Sequence, residues 1–402
     1  LNSSSKVYAR LYQAGSGTAY TVTSVTNYPT NGNWMHAAVS YDGSAIRLYV
    51  NGVQEATLNA AIAIGTNGDP LAIGAQPEGT GAFFVGRLDE VRIWNLARSQ
   101  QQIREGMCRK LSGGESGLAG YWPLDEESGM AAYDRSGNNI DLVLMNMAEN
   151  DHVWSGAPLG DESAFDYDAG NGGFIASLSH SDGDNLSAAA AAGDARGIQI
   201  YRADANPLRP GATLPPELAA IDSLRFWGVF VAGSGNPQYT VTYAYRGHPG
   251  VITGSNLRLA VRDNHAADTW ADLDATPDNG ANTLGKTGQA GAEYALAFTT
   301  RQQEPISEFR LYPNYPNPFN PGTTIKFEVP ESGAGRQKIA LTVYNSLGQE
   351  VKKLYDGVIE GGAHEIYWDA RDGRGNPAAS GQYFVRLRGN DYVKTIAITR
   401  IR

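Results

Sequence analysis

Four prolines within one short run, Pro313, Pro316, Pro318 and Pro321, restrict this chain more tightly than any other part of its sequence. Each fixes φ and removes a backbone donor, so the segment cannot be helix or an inner strand and is expected to be a stiff, extended connector. Strand-like alternation resumes only beyond it, at 325–329, 339–344, 349–355, 364–368, 382–388 and 394–401. A short, turn-punctuated β domain is therefore expected to close the chain.

The remainder has the same texture. At 402 residues there is room for two to four domains of roughly 100–200 residues each. Plentiful Gly (48) and Tyr (21) beside only 18% charged residues give the profile of an all-β protein rich in turns. Cys108 stands alone, which excludes an intrachain disulfide and leaves packing, metal or partner subunits to supply stability. A net charge of −10 without clustered Lys or Arg argues against nucleic acid as a partner. No window approaches the roughly 18 uncharged apolar residues of a membrane-spanning helix. Residues 1–6 lack the basic and apolar regions of a signal peptide, so residue 1 is not expected to begin the gene product.

Residues 34–53 read as alternating strands, with Asp42-Gly43 and Asn51-Gly52 as hairpin dipeptides. Further strands are expected at 70–74 and 84–95, and Ser99 is placed to cap a short helix over 100–107. The blocks WxHxAVSYDG (34–43), LYVNG (48–52) and GxxDEVRIWN (86–95) resemble the second half of the laminin-G-like, concanavalin-A-like jelly roll. That family usually opens with a segment similar to residues 117–139, which here follows the second half. The resemblance therefore implies a jelly roll over 1–168 that is incomplete or permuted at its start. Residues 117–168 either fold back to complete their own module, complete a neighbouring copy's, or lack upstream partners. Folding back is the expected outcome, and Trp122 and Trp154 are expected to be buried in either of the first two cases.

A second pattern, with strands at 197–202, 226–231, 239–245, 257–262, 270–273 and 293–298, implies a β-sandwich over 169–303. It resembles a module often found ahead of sorting domains in secreted surface proteins. Residues 301–308 are polar and contain Pro305, as a linker would. Four blocks of the last stretch, NYPNPFNP (314–321), VYNSLGQEV (343–351), GAHEIYWD (362–369) and SGQYFVRL (380–387), resemble the C-terminal sorting domain of type IX secretion substrates, related to the Ig-like domain of flagellar hook-capping proteins. This resemblance covers 308–402. It implies export across an outer membrane by the type IX machinery, followed by surface attachment or release.

Catalytic motifs are missing. His36, His152, His180, His248, His265 and His364 are scattered without metal-binding spacing, Cys108 has no matched His signature, and no GxSxG, P-loop or strand-to-helix GxGxxG occurs. Asp89 and Glu90, adjacent in an expected strand, would face opposite sides and so could not be paired glycosidase acids. Calcium suits the loop oxygens better. In laminin-G-like relatives an Asp of the DEV block and oxygens near the DxSGN turn approach one ion, which by resemblance points to Asp89, Asp134 and Asn138 as ligands of a structural calcium. The competing reading makes them Asx-turn formers. Asp272, Asp274 and Asp278 miss the Gly and Glu positions of an EF-hand loop. Trp34, Trp94, Trp122, Trp227 and Trp368 lie in strand patterns where core packing is the usual fate.

The chain thus reads as all-β, a jelly roll plus a β-sandwich plus a small Ig-like sandwich: a non-enzymatic protein of the cell surface or exterior, and the C-terminal part of a multi-domain adhesin. Its expected partners are the type IX machinery and either carbohydrate or a surface protein, with self-association as a further class. Two alternatives stand beside this reading. One is a subunit of an extracellular filament joined by strand donation or edge pairing; the other is a set of accessory domains from a larger secreted hydrolase.

Overall fold

Period-two patterning bracketed by turn residues becomes strand along most of the chain, and the fold is all-β, consistent with jelly-roll and Ig-like sandwich modules. The computed structural model describes residues 4–28, 32–76, 81, 83–148, 151–209, 212–233, 237–246, 248, 251, 256–299, 308–330, 336–389 and 392–401. The chain divides into two units, Leu1–Thr300 and Arg301–Arg402.

In the first unit β1 (Tyr8–Tyr12) pairs with β2 (Ala19–Thr23), and β3 (Ala37–Tyr41), β4 (Ala45–Val50) and β5 (Val53–Asn59) form the expected meander. Asn51 and Gly52 both take positive φ (50° and 74°), as a type I′ hairpin requires. Ile46 and Leu48 pack with Val22 and Ile62 in a small core. The expected strand at 84–95 shrinks to β6 (Val91–Trp94), because Glu90 adopts a left-handed φ of 55° and ends the extended run. Residues 70–74 form no strand; Gly74 turns at φ 82°, and its carbonyl accepts from the Phe84 amide at 2.7 Å. Helix α1 (Gln100–Met107) is capped by Ser99 as expected; the structure extends this to a capping box, with reciprocal bonds to Gln102, and the helix buries Ile103 and Met107. Strand β7 (Leu118–Trp122) pairs with β6, and β8 (Ala131–Ala132) and β9 (Leu142–Val143) pair with each other.

Trp122 is 1% exposed and its indole donates to the Ile140 carbonyl. Trp154 departs from expectation at 53% exposure. A cation holds it rather than a core: the Arg209 guanidinium lies 5.0 Å over the ring, and His265 meets its edge.

The two-sheet part of this unit follows. Its strands are β10 (Glu162–Asp166), β11 (Gly173–Ser179), β12 (Asn185–Ala191), β13 (Ala195–Ala203), β14 (Ala220–Ile221), β15 (Phe226–Gly233), β16 (Tyr239–Ala244), β17 (Leu257–Arg262), β18 (Ala271–Asp272), β19 (Thr276–Asp278), β20 (Thr283–Gln289) and β21 (Ala292–Phe298). The larger sheet runs β10-β13-β15-β21-β17-β18, with β14 on β21, and the smaller runs β11-β12-β16-β20-β19. Residues 162–166, which the sequence places in the first module, are therefore an edge strand of the larger sheet, on β13. Ile198, Ile200, Trp227 and Tyr294 meet Leu186, Val241 and Leu284 between the sheets. The opposite face of the larger sheet is covered as well, with Tyr201, Phe226, Ala260 and Ala295 clustering with Met107 and Cys108. Burial on both faces explains the continuous apolar run at 226–231. It also pushes the Cys108 thiol far up, so this cysteine is a packing residue.

The second unit stacks β22 (Arg310–Leu311), β23 (Thr323–Val329) and β26 (Gly362–Trp368) on a sheet of β25 (Glu350–Glu360), β24 (Arg336–Asn345), β27 (Gly381–Gly389) and β28 (Tyr392–Arg400). Ile325, Phe327, Leu341, Val343, Trp368, Val385 and Leu387 fill the space between. Here the proline-rich run differs from the expected connector, because it straps this sandwich. The Asn314 amide donates to the Pro316 carbonyl and the Thr323 hydroxyl (both 2.9 Å), Tyr315 bridges Thr324, and Phe319 exchanges backbone bonds with Thr399 and Ile401 at the outer edge of β28. Phe319 is 1% exposed, 5.5 Å from the Trp368 ring. The prolines limit which donors remain, and those on Tyr315 and Phe319 are spent on the sandwich itself. Of the expected linker, residues 301–307 lie outside the described residues.

Candidate functional site

Two left-handed, non-glycine residues frame the β6–β7 ladder: Glu90 just before β6 and Leu124 (φ 60°) just after β7. Such backbone costs of order 1–3 kcal/mol per residue, and it gathers where structure serves a purpose beyond pairing. Three carboxyls lie beside it, on Asp89, Glu90 and Asp125. Burial pushes all three pKa values up, and the charge of Asp125 adds to the effect at both Asp89 and Glu90. Asp89 rises to about 7, although the Ser155 hydroxyl donates to it. Glu90 pairs with Arg92 and accepts from the Tyr121 hydroxyl at 2.9 Å. Arg92 also donates to the Gly106 carbonyl in the last turn of α1 and to the Arg109 carbonyl, so one guanidinium ties the ladder to the helix end. Nearby His36 is driven down to about 4, first by burial and then by the Arg92 charge.

This arrangement holds a proton on Asp89 near neutrality and clamps the segment carrying Ser155 to β6. The opposite-faces argument against Asp89 and Glu90 is superseded, since both precede the strand and Glu90 is left-handed. Of the three expected calcium ligands, the structure brings Asp134 and Asn138 together and leaves Asp89 with Ser155. Asp134 accepts from the amides of Tyr121, Ser136 and Ile140 and from the Ser136 hydroxyl, all within 2.8–3.1 Å. Burial alone would raise its pKa, but these donors outweigh it and hold the carboxyl below its usual range. Asn138 donates to the Leu118 and Ala119 carbonyls and to Ser136. Asp272 and Asp278 each accept from amides two residues ahead, as Asx-turns do. Among the described residues no group of three or more His, Cys, Asp or Glu is placed to hold a metal.

Asp89 gives a test with a definite sign. A carboxyl whose folded pKa is raised adds stability below its unfolded pKa and loses it as pH climbs through the folded value. Asp89→Asn should therefore gain on the parent by about 1 kcal/mol per pH unit between roughly pH 4 and 7 in thermal melts. A calcium ligand would behave oppositely, because at neutral pH with calcium present both chelation and Asp89→Asn would lower the Tm.

A second polar cluster escaped the sequence. Fully buried Asp184 accepts from the Tyr243 hydroxyl (2.8 Å) and from Arg225 (3.2 Å), Arg225 pairs with Asp182 (2.6 Å), and His248 Nε2 lies 3.3 Å from Asp222 and 3.7 Å from Asp184. Burial works against a proton on His248, but Asp222 and Asp184 prevail and raise its pKa. Its members come from separate loops and strands, so no local spacing announces them.

Comparison with known proteins places two recognised domains on this frame. Residues 1–104 match the concanavalin A-like lectin/glucanases superfamily, and residues 317–391 match the FlgD Ig-like domain. Mouse (Mus musculus) pappalysin-1 is 33% identical over 81 residues, which is 19% of this chain and 5% of that protein. Three solved structures align weakly. Dimeric latent PorU from Porphyromonas gingivalis has a TM-score of 0.20 and 14% identity, over 54% of this chain and 24% of that one. PorZ, a surface component of the type IX secretion system of the same organism, has 0.18 and 15%, over 100% and 65%. The adhesin domain of Epf from Streptococcus pyogenes has 0.17 and 9%, over 59% and 90%. Superpositions at such scores carry no argument about this chain.

Proposed function

We propose that this chain is the C-terminal part of an exported, non-enzymatic surface protein, whose last unit is a type IX sorting domain read by the export machinery in its folded form. The observation that carries this reading is the FlgD Ig-like match over 317–391, on a unit that closes around its own core. The proline-rich block at 314–321 supports it further, because the strap makes that block part of the folded domain. The jelly-roll match at 1–104 supports an adhesive role toward carbohydrate or a surface protein. A non-enzymatic role fits a carboxyl cluster in which Glu90 is taken by Arg92 and Tyr121, and Asp89 by Ser155.

Deleting residues 309–402 in the native host is expected to leave the protein in the periplasm, as read by fractionation and surface immunolabelling. Normal surface display of the truncated chain overturns the assignment.

A further inference from the structure

A pocket of about 300 Å³ opens in the first unit between the β4–β5 hairpin and the β12–β13 turn, lined in part by Tyr28, Asn51, Glu55, Asp194 and Arg196. The Glu55 side chain at its floor is only 2% exposed. Burying a carboxylate is costly unless donors compensate. Here burial raises the Glu55 pKa, but the Thr26 amide (2.9 Å), the Thr26 hydroxyl (3.0 Å) and the Tyr28 hydroxyl outweigh it and hold the group below its usual range. A carboxylate offers about four acceptor positions, and these donors take three. Among the described residues the cation paired with it is Arg196, which stands 3.7 Å away, beyond hydrogen-bonding reach, with its side chain 56% exposed.

The walls are fixed in advance. The Asn51 carbonyl accepts from the Tyr167 hydroxyl (2.8 Å), and the Gly52 carbonyl accepts from Gln100 (3.0 Å) and Arg104 (2.9 Å). On the far side the Asp194 carbonyl packs so closely on Gly233 that a Cβ there would stand 2.1 Å from the oxygen. Walls held in this way reduce the ordering cost of binding.

We propose that this pocket binds an alkylammonium group through Glu55, displacing Arg196, which serves as a resident and loosely held cation. An ammonium is a compact point charge that fits a single open acceptor, whereas the fork of a guanidinium is matched to a carboxylate with both oxygens open. The buried negative charge excludes anions, and a neutral amide forgoes the charge-assisted bond. The same chemistry could arrive as a free amine or as a lysine side chain of a partner protein.

The test is an NMR titration of the full chain at about pH 7 with n-butylamine, with N-butylacetamide as the neutral control and acetyl-Gly-Lys-Gly-amide as the peptide form. Butylammonium should bind about tenfold more tightly than the amide, and Glu55→Gln should abolish that preference. Because Glu55→Gln disturbs a buried network, the exposed Arg196 decides independently: Arg196→Ala should tighten ammonium binding roughly threefold. A peptide bound about tenfold better than butylamine points to a protein partner, and equal binding points to a free amine. Equal binding of amine and amide, or an Arg196→Ala chain that binds ammonium no better than the parent, overturns the proposal.

Discussion

Arg262→Ala is expected to strip roughly 3–5 kcal/mol from the first unit, the range found when one partner of a buried ion pair is removed. Arg262 sits on β17 opposite Glu293 of β21, and both side chains are 1% exposed. Its Nε and Nη2 each lie 2.7 Å from the Glu293 carboxylate, while Nη1 donates to the Pro207 carbonyl and Nη2 meets His265 Nδ1. The guanidinium also lies 4.4 Å from the Trp270 ring and 4.9 Å from Phe226, so truncation removes packing as well as charge. Glu293, which accepts from the Tyr201 hydroxyl at 2.9 Å, would be left charged in the interior. Burial already pushes its pKa up against the pull of Arg262. Without Arg262 the folded form holds that proton still more tightly, so the variant should be least unstable at acidic pH and lose stability as pH rises. The double variant Arg262→Met/Glu293→Leu should recover most of the loss, because an apolar pair leaves no orphaned charge. Urea denaturation of the three chains across pH decides the matter. A cost below about 1 kcal/mol for the single change would show the pair to be a bystander.

What the sequence made legible is what local chemistry determines. Asp42-Gly43 and Asn51-Gly52 announced the meander, Ser99 announced the helix start to the residue, and alternating runs marked the longer strands of both sandwiches. What stayed hidden depends on where distant segments meet. Nothing in the local sequence marks Glu90 as left-handed, and its Arg92 and Tyr121 contacts form only in the folded chain, so the 84–95 run looked continuous. Trp154 carries an apolar ring that suggests burial, but Arg209 and His265, far along the chain, offer it a surface site instead. The same limit governs the candidate site. The DEV and DxSGN blocks pointed to Asp89, Asp134 and Asn138 as one set, while which carboxyl meets Ser155 and which meets the β7 amides is set by tertiary placement.

Phe319→Ala should cost the second unit roughly 3–5 kcal/mol, the usual range for truncating a buried aromatic ring. A proline-rich connector would predict almost nothing, since its side chains would face water. The ring is instead enclosed against Trp368, and the backbone beside it donates to Thr399 and accepts from Ile401 at 2.9 and 3.0 Å. The loss therefore has two parts, a cavity next to Trp368 and a loosened outer edge on β28. The second part separates a strap from a mere core contact, because amide exchange at Phe319 and Ile401 should accelerate more than exchange at Val385 and Leu387 in the middle of the same sheet. Freeing that edge also exposes unpaired backbone on a long terminal strand, so the variant should self-associate more readily than the parent as it is warmed. Leu347→Ala makes a suitable control, since that side chain is 80% exposed and its loss should change stability by less than about 0.5 kcal/mol. If Phe319→Ala matches that control in melting and in exchange, the proline-rich run is only a tether and the closing role given to it here is wrong.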